Sequence, residues 1–381
     1  MNIIYISDFF VGGADSSEKA IPRSGYSNIG MELCRRLASY GHDVKVLGLG
    51  YTGQEHWEKF SIVPCNNLQD VGGYMNNLKF IWGVEVVVCA LDINHYQEQI
   101  YPAARQLELK YVCITPLESD PLCVTWANLL NKMDKVFFIS RFGAGEAKKA
   151  GVEAEHIDIG IDTTAWRLRT EEEFKKIRSS LGYDEDDFVI LTVADNQERK
   201  DLGRGLQVAA EIKSRGIPIK YVFVTREHSQ VGWKLYDLAY ELGLSSDVRV
   251  FQNGIPFPDL YALYCAADVF LLPSKGEGLG VPVMEAMSVG VPVVANRTGA
   301  IPELLEKERG WIADWECWYF DPFGNQRRYH MSVDKAVDAL LEIRSNPEKV
   351  AQKLANARSF MESKNWDKPA KQLEEAIKKL K

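Results

Sequence analysis

Short apolar runs alternate with longer amphipathic stretches along nearly the whole chain, and that alternation leaves few folds open. A run apolar on both faces suits a strand covered on both sides. An amphipathic stretch after each one gives successive βαβ units and a parallel sheet. The first series predicts strands at Asn2–Ser7, Asp43–Gly48, Glu85–Cys89, Tyr111–Thr115 and Lys135–Ser140, with helices at Gly30–Tyr40 and Gly143–Ala150. A second series begins at Phe188. It predicts strands at Phe188–Ala194, Lys220–Thr225, Val248–Phe251, Val269–Pro273 and Pro292–Asn296, separated by helices near Leu202–Ser214, Gly232–Leu242, Pro258–Ala266 and Val281–Val289. The two series exceed what one hydrophobic core of 381 residues usually supports.

The expected architecture is therefore α/β, with two Rossmann-like parallel-sheet lobes at residues 1–165 and 188–359. The polar stretch 166–187 between them, dense in charge at Glu171–Glu173 and Asp184–Asp187, reads as a linker. The tail is helical. Its last part, about 360–381, carries Ala370, Leu373, Ala376, Ile377 and Leu380 on one side and is expected to pack back on the first lobe.

Composition narrows the function classes. A net charge of −8 argues against generic binding to nucleic acid or to anionic membranes. The seven cysteines are scattered, without a C-x-x-C pair, so neither a disulfide framework nor a zinc site is indicated. No run suits a membrane span, the first residues do not read as a signal peptide, and the expected location is cytoplasmic.

The most informative stretch is Pro273-Ser-Lys-Gly-Glu-Gly-Leu-Gly-Val-Pro-Val-Met-Glu-Ala-Met. It follows a strand and enters a helix with Pro282 in its first turn, where a missing N–H is harmless. Gly276, Gly278 and Gly280 allow close backbone approach and positive φ, so amides converge at the positive end of the helix and an anion is the natural ligand. Glu277 and Glu285 flank that site. Carboxylates repel a diphosphate but accept from hydroxyl groups, which matches a sugar nucleotide: sugar, diphosphate, ribose.

Glu277, seven intervening residues and Glu285 form a pattern that resembles the Glu-x7-Glu motif of the retaining glycosyltransferase family 4, a family of the two-lobe GT-B fold. The resemblance extends to Gly299-Ala-Ile-Pro-Glu303, to Leu260-x3-Tyr264-x2-Ala267-Asp268-Val269, and to Gly25 before the first helix. It implies two lobes facing across a cleft. It also implies that Glu285 binds the ribose diol and Glu277 a donor-sugar hydroxyl. Gly278, Leu279, Gly280 and Val281 would hold the distal phosphate or sugar, and Gly25 would border the cleft.

Transfer with retention needs stabilisation of the leaving diphosphate. Asp195-Asn-Gln-Glu-Arg-Lys-Asp201 follows a strand, and Lys200 matches the family's lysine. The family's arginine position falls near Ala194, a departure, and Arg199 is the candidate second cation. The family often carries a His after the strand equivalent to Tyr111–Thr115. Here Glu118 and Asp120 stand in that segment, either orienting the acceptor or capping a helix. The Gly-hydrophobic-Asp segment appears as Gly160-Ile161-Asp162. His42, His95 and His156 stand alone and read as structural.

The resemblance thus implies transfer of a hexose from a nucleoside-diphosphate sugar, UDP-glucose before GDP-mannose, to a hydroxyl acceptor. That acceptor is a saccharide, a lipid-linked sugar, a small metabolite or, less in keeping with the charge, a modified nucleic acid. No tightly bound cofactor and no metal is expected: Asp184-Glu185-Asp186 imitates a metal-binding Asp-x-Asp but precedes its strand. Gly48-Leu-Gly-Tyr-Thr-Gly53 spells a dinucleotide fingerprint but follows the second strand and opens no helix. The aromatic stretch Trp311–Tyr329 reads as buried packing rather than a sugar-stacking surface. The rival readings are an epimerase or phosphorylase of the same fold, or a non-catalytic nucleotide-sugar binder.

Overall fold

The computed structural model describes residues 1–9, 11–14, 20–22, 25–65, 67–227, 229–252 and 254–380, without the side chains of 11–14, 20–22 and 95. Contacts divide the chain into two units, Met1–Gly160 with Asn365–Lys381, and Ile161–Lys364.

The first unit is built on a seven-stranded sheet in the spatial order Ser61–Cys65, Asp43–Leu49, Asn2–Asp8, Val86–Ala90, Lys110–Thr115, Lys135–Phe138, Glu155–His156. All its pairings are parallel. The central strands are apolar on both faces because helices cover both, and every residue of Val86–Ala90 is buried. Pro64, which lacks an N–H, lies in the edge strand Ser61–Cys65, where the ladder does not require one. Sequence patterning missed that strand, and no helix opens after Gly48–Gly53. The helix Asp367–Lys379 lies on Gly25–Ser39, with Arg36 donating to Asp367 at 2.8 Å. Trp366 packs so tightly on Gly160 that a Cβ there would approach the indole to 2.7 Å.

The second unit repeats the plan with six parallel strands in the order Val248–Gln252, Ile219–Thr225, Phe188–Val193, Val269–Leu272, Val293–Asn296, Trp311–Ala313. In both sheets the strand order reverses beside the first strand, as in doubly wound folds whose ligands sit at the carboxyl ends of the strands flanking that switch. In the second unit the flanking strands are Phe188–Val193 and Val269–Leu272, which are followed by the two loops singled out from sequence.

Three expectations need correction. The stretch 166–187 contains the helix Glu171–Leu181 and belongs to the second unit. Its capping box pairs Thr170 with Glu173, and Arg178 is buried against Asp268 at 2.7 Å. The aromatic stretch forms an antiparallel hairpin, Trp315–Asp321 with Gln326–Met331. Trp311, in the edge strand of the six-stranded sheet, is buried, but Trp318 and Phe320 of the hairpin are 43% and 59% exposed, because alternate side chains of a two-stranded ribbon point outward. His42 and His156 do not stand alone: they lie 3.3 Å from Glu374 and 3.5 Å from Asp158. The side chain of His95 lies outside the described residues.

Candidate functional site

The loop Pro273–Gly280 leaves Val269–Leu272 at its carboxyl end and enters the helix Val281–Val289. Every residue of the loop is buried. Of its three glycines only Gly280 takes positive φ, at +93°, where a Cβ would also approach Ile301 to 3.0 Å. That left-handed residue turns the chain into the helix, and its carbonyl receives the amides of Val283 and Met284 at 3.0 and 3.3 Å. Gly278, Leu279, Gly280 and Val281 therefore lie at the positive end of the helix.

The second loop, Ala194–Asp201, leaves Phe188–Val193 and enters Leu202–Ser214 through Asp201, again left-handed at φ +50°. The two loops pair residue by residue at a constant offset. Lys275 bonds Glu198, Arg199 donates to the Gly276 carbonyl at 2.6 Å, and Lys200 donates to Glu277 at 2.6 Å, each 77 positions apart. Arg199 also lies 3.9 Å from the Glu277 carboxylate. The structure thus brings together Glu277, Lys200 and Arg199 beside the helix head.

Glu277 is 6% exposed. Burial alone would raise its pKa, but Lys200 and then Arg199 outweigh it and hold the carboxyl below the usual range. Glu285 differs. No cation among the described residues acts on it, and burial pushes its carboxyl up to about 7, while the Tyr264 hydroxyl, donating at 2.8 Å, pulls the other way. The two glutamates of the motif therefore titrate far apart, and Tyr264 is fixed by what it donates to. Ala300 donates to the Glu277 carbonyl at 2.9 Å, so the Gly299–Glu303 segment braces the same loop.

Several residues at the site escaped sequence reasoning. Lys275 is 1% exposed and bonds Glu198 and Tyr319. Arg226, directly after Ile219–Thr225, grips both oxygens of Asp195 at 2.5 and 2.7 Å. His330 of the hairpin lies 3.0 Å from Asp201. Their signal is absent from local patterning, since each depends on partners 31 to 129 positions away.

Other candidates are placed as follows. Asp162 accepts the amides of Thr164 and Ala165, a local turn. Gly25 is the first residue of the helix Gly25–Ser39 and is exposed, with no atom of the described residues within 4 Å of an added Cβ. Glu118 and Asp120 follow Lys110–Thr115 and are half-buried; neither caps the next helix, whose N-cap is Cys123. Asp187 accepts the amide of Asp184, which accounts locally for that acidic cluster. Among the described residues no group of three or more His, Cys, Asp and Glu is gathered to hold a metal ion.

Residues 173–318 match the protein-family model described as "Glycosyl transferases group 1", so the second unit carries a domain of that kind. The chain is 30% identical over 201 residues to the GDP-mannose-dependent alpha-(1-6)-phosphatidylinositol monomannoside mannosyltransferase of Mycolicibacterium smegmatis, covering 48% of this chain and 50% of the other. It is 30% identical over 228 residues to the D-inositol 3-phosphate glycosyltransferase of Corynebacterium urealyticum, covering 58% and 50%. The chain spans about half the length of the curated relatives it matches. The crystal structure of Anabaena Alr3699/HepE in complex with UDP-glucose superposes with a TM-score of 0.74 at 15% identity, covering 100% of both chains. The fold is accordingly GT-B, two Rossmann-like parallel-sheet lobes.

Proposed function

We propose that the chain is a retaining glycosyltransferase of family 4 that moves a hexose from a nucleoside-diphosphate sugar to a hydroxyl acceptor without a metal or bound cofactor. The observation that carries this reading is the convergence of Lys200, Arg199 and Glu277 beside the helix Val281–Val289, at the carboxyl ends of the two strands flanking the switch point. Two cations and a helix N-terminus against one carboxylate leave a positive surplus for a diphosphate. Glu285, half-buried and bonded by the Tyr264 hydroxyl, suits the ribose diol, and Glu277 suits a hydroxyl of the donor sugar.

In this reading the bond from the anomeric carbon to the distal phosphate oxygen breaks, and the acceptor oxygen bonds to that carbon on the same face. The acceptor proton passes to the leaving phosphate oxygen. Lys200, Arg199 and the amides of Gly278–Val281 stabilise the charge that grows there. Gly25 borders the acceptor side, and Glu118 or Asp120 orients the acceptor where the family's usual His is missing. UDP-glucose is the first donor to test and GDP-mannose, named in the mycobacterial relative, the second. The acceptor expected first is a saccharide or a lipid-linked sugar.

The test is nucleotide release. The full chain, incubated with each sugar nucleotide and an acceptor mixture, should free nucleoside diphosphate and yield a glycosylated product. Tight binding of sugar nucleotides with no turnover on any acceptor would favour a binding protein instead.

A further inference from the structure

Lys275 is a charged side chain that burial should have excluded, and the mechanism above does not use it. Its ammonium bonds the Glu198 carboxylate and lies 3.0 Å from the Tyr319 hydroxyl, which itself donates to Glu198 at 3.1 Å. Its own amide donates to the Arg199 carbonyl at 2.8 Å. Its carbonyl accepts from Thr298 Oγ1 at 3.0 Å and from the Tyr329 amide at 3.1 Å. One residue thus ties together both phosphate-facing loops, the segment after Val293–Asn296, and both strands of the hairpin.

We propose that Lys275 is a positioning residue: with Glu198 and Tyr319 it forms the first rung of the pairing between the two loops and so sets where Lys200 and Arg199 stand against Glu277. This rests on the reading of the site as a diphosphate site. The rungs are consecutive, 198 with 275, 199 with 276 and 200 with 277, so slippage at the first displaces the third. The hairpin meets the loops through Tyr319 on one strand, which bonds Lys275 and Glu198, and His330 on the other, 3.0 Å from Asp201. Neutral Lys275 would leave Glu198 a carboxylate without its cation, which loosens the rung.

Among the described residues, the charged and titratable groups that act on Lys275 are Glu198 from the first loop and Tyr319, Asp321 and Arg328 from the hairpin. Burial, and then Arg328, push the ammonium down to about 8, against which Asp321 pulls upward. The bonded Glu198 carboxylate favours the charged ammonium against that pull, so the clamp should hold at pH 7.

Hydrogen exchange on the ligand-free full chain tests this, with peptides covering 195–201 and 273–280 corrected for intrinsic rates. At pH 7 the wild type should be more protected in both peptides than Lys275→Met by roughly tenfold. Lys275→Met should be unprotected throughout, Lys275→Arg protected throughout, and Tyr319→Phe, which removes one hydroxyl, intermediate. Equal protection in all four proteins would overturn the proposal, as would a loss in Lys275→Met that Lys275→Arg does not restore. Calorimetric titration with UDP and with GDP separates this from the functional reading. If the wild type binds neither, the diphosphate site fails while the exchange data still decide the clamp. If it binds and Lys275→Met binds equally well at pH 7, the clamp does not position the cations, and the proposal falls.

Discussion

On the proposed reading, in which Glu285 binds the ribose diol, its carboxyl makes donor affinity depend on pH in a calculable way. Its pKa of about 7 means the group charges as pH rises through neutrality. Only the carboxylate can accept from both hydroxyls of a ribose diol, since a protonated carboxyl uses one oxygen as donor. With that pKa, about 3% is ionised at pH 5.5 and about half at pH 7, so affinity should rise about sixteenfold, or roughly 1.6 kcal/mol. The assay is calorimetric titration with intact UDP-glucose or GDP-mannose rather than a free nucleoside diphosphate, whose terminal phosphate itself titrates near pH 6. The window lies below the range in which Lys275 discharges, so the rising limb belongs to Glu285. Glu285→Gln keeps the shape, removes the titration, and should give weak binding that is flat with pH. A flat wild-type profile, or an unchanged slope in Glu285→Gln, refutes the assignment of this carboxylate to the ribose.

Three further outcomes follow from the geometry. Lys200→Ala should lower kcat at saturating donor by roughly two to three orders of magnitude, as removal of a charge-stabilising donor does, measured as nucleotide release; unchanged turnover would remove its role. Gly280→Ala forces a Cβ onto a φ of +93° and to 3.0 Å from Ile301, so thermal melting should show a loss of about 1–2 kcal/mol. Arg178→Met removes the guanidinium that pairs with half-buried Asp268 and donates to the carbonyls of Asp184 and Asp187, and denaturant unfolding should show a loss of about 3–5 kcal/mol.

What the sequence made legible was local. The strand-to-helix glycine segment, Pro282, Glu277 and Glu285 sit within a dozen residues of one another, and the helix Val281–Val289 has the bounds its pattern predicts. Lys200 was readable because it follows a strand end, but its pairing with Glu277 was not, because contacts 77 residues apart leave no periodic trace. Charge density hid the helix Glu171–Leu181, although Thr170-Glu171-Glu172-Glu173 spells its capping box. The hairpin was misjudged because its aromatic residues look like core, whereas a two-stranded ribbon has a second face that nothing in its own unit must cover.

On the proposed function, the ion pair between Lys200 and Glu277 bears on both donor entry and product release. The resting site carries its own counter-ion, so an arriving diphosphate must exchange places with a carboxylate rather than meet a bare cation. On the proposed reading, the displaced Glu277 then finds a hydroxyl of the donor sugar, and recognition of phosphate and of sugar become one event. Once the sugar has left, Glu277 is a buried anion whose partners among the described residues are Lys200, Arg199 and Ser274. It reclaims its partners, and the spent nucleotide is expelled by the same side chain that helped admit it.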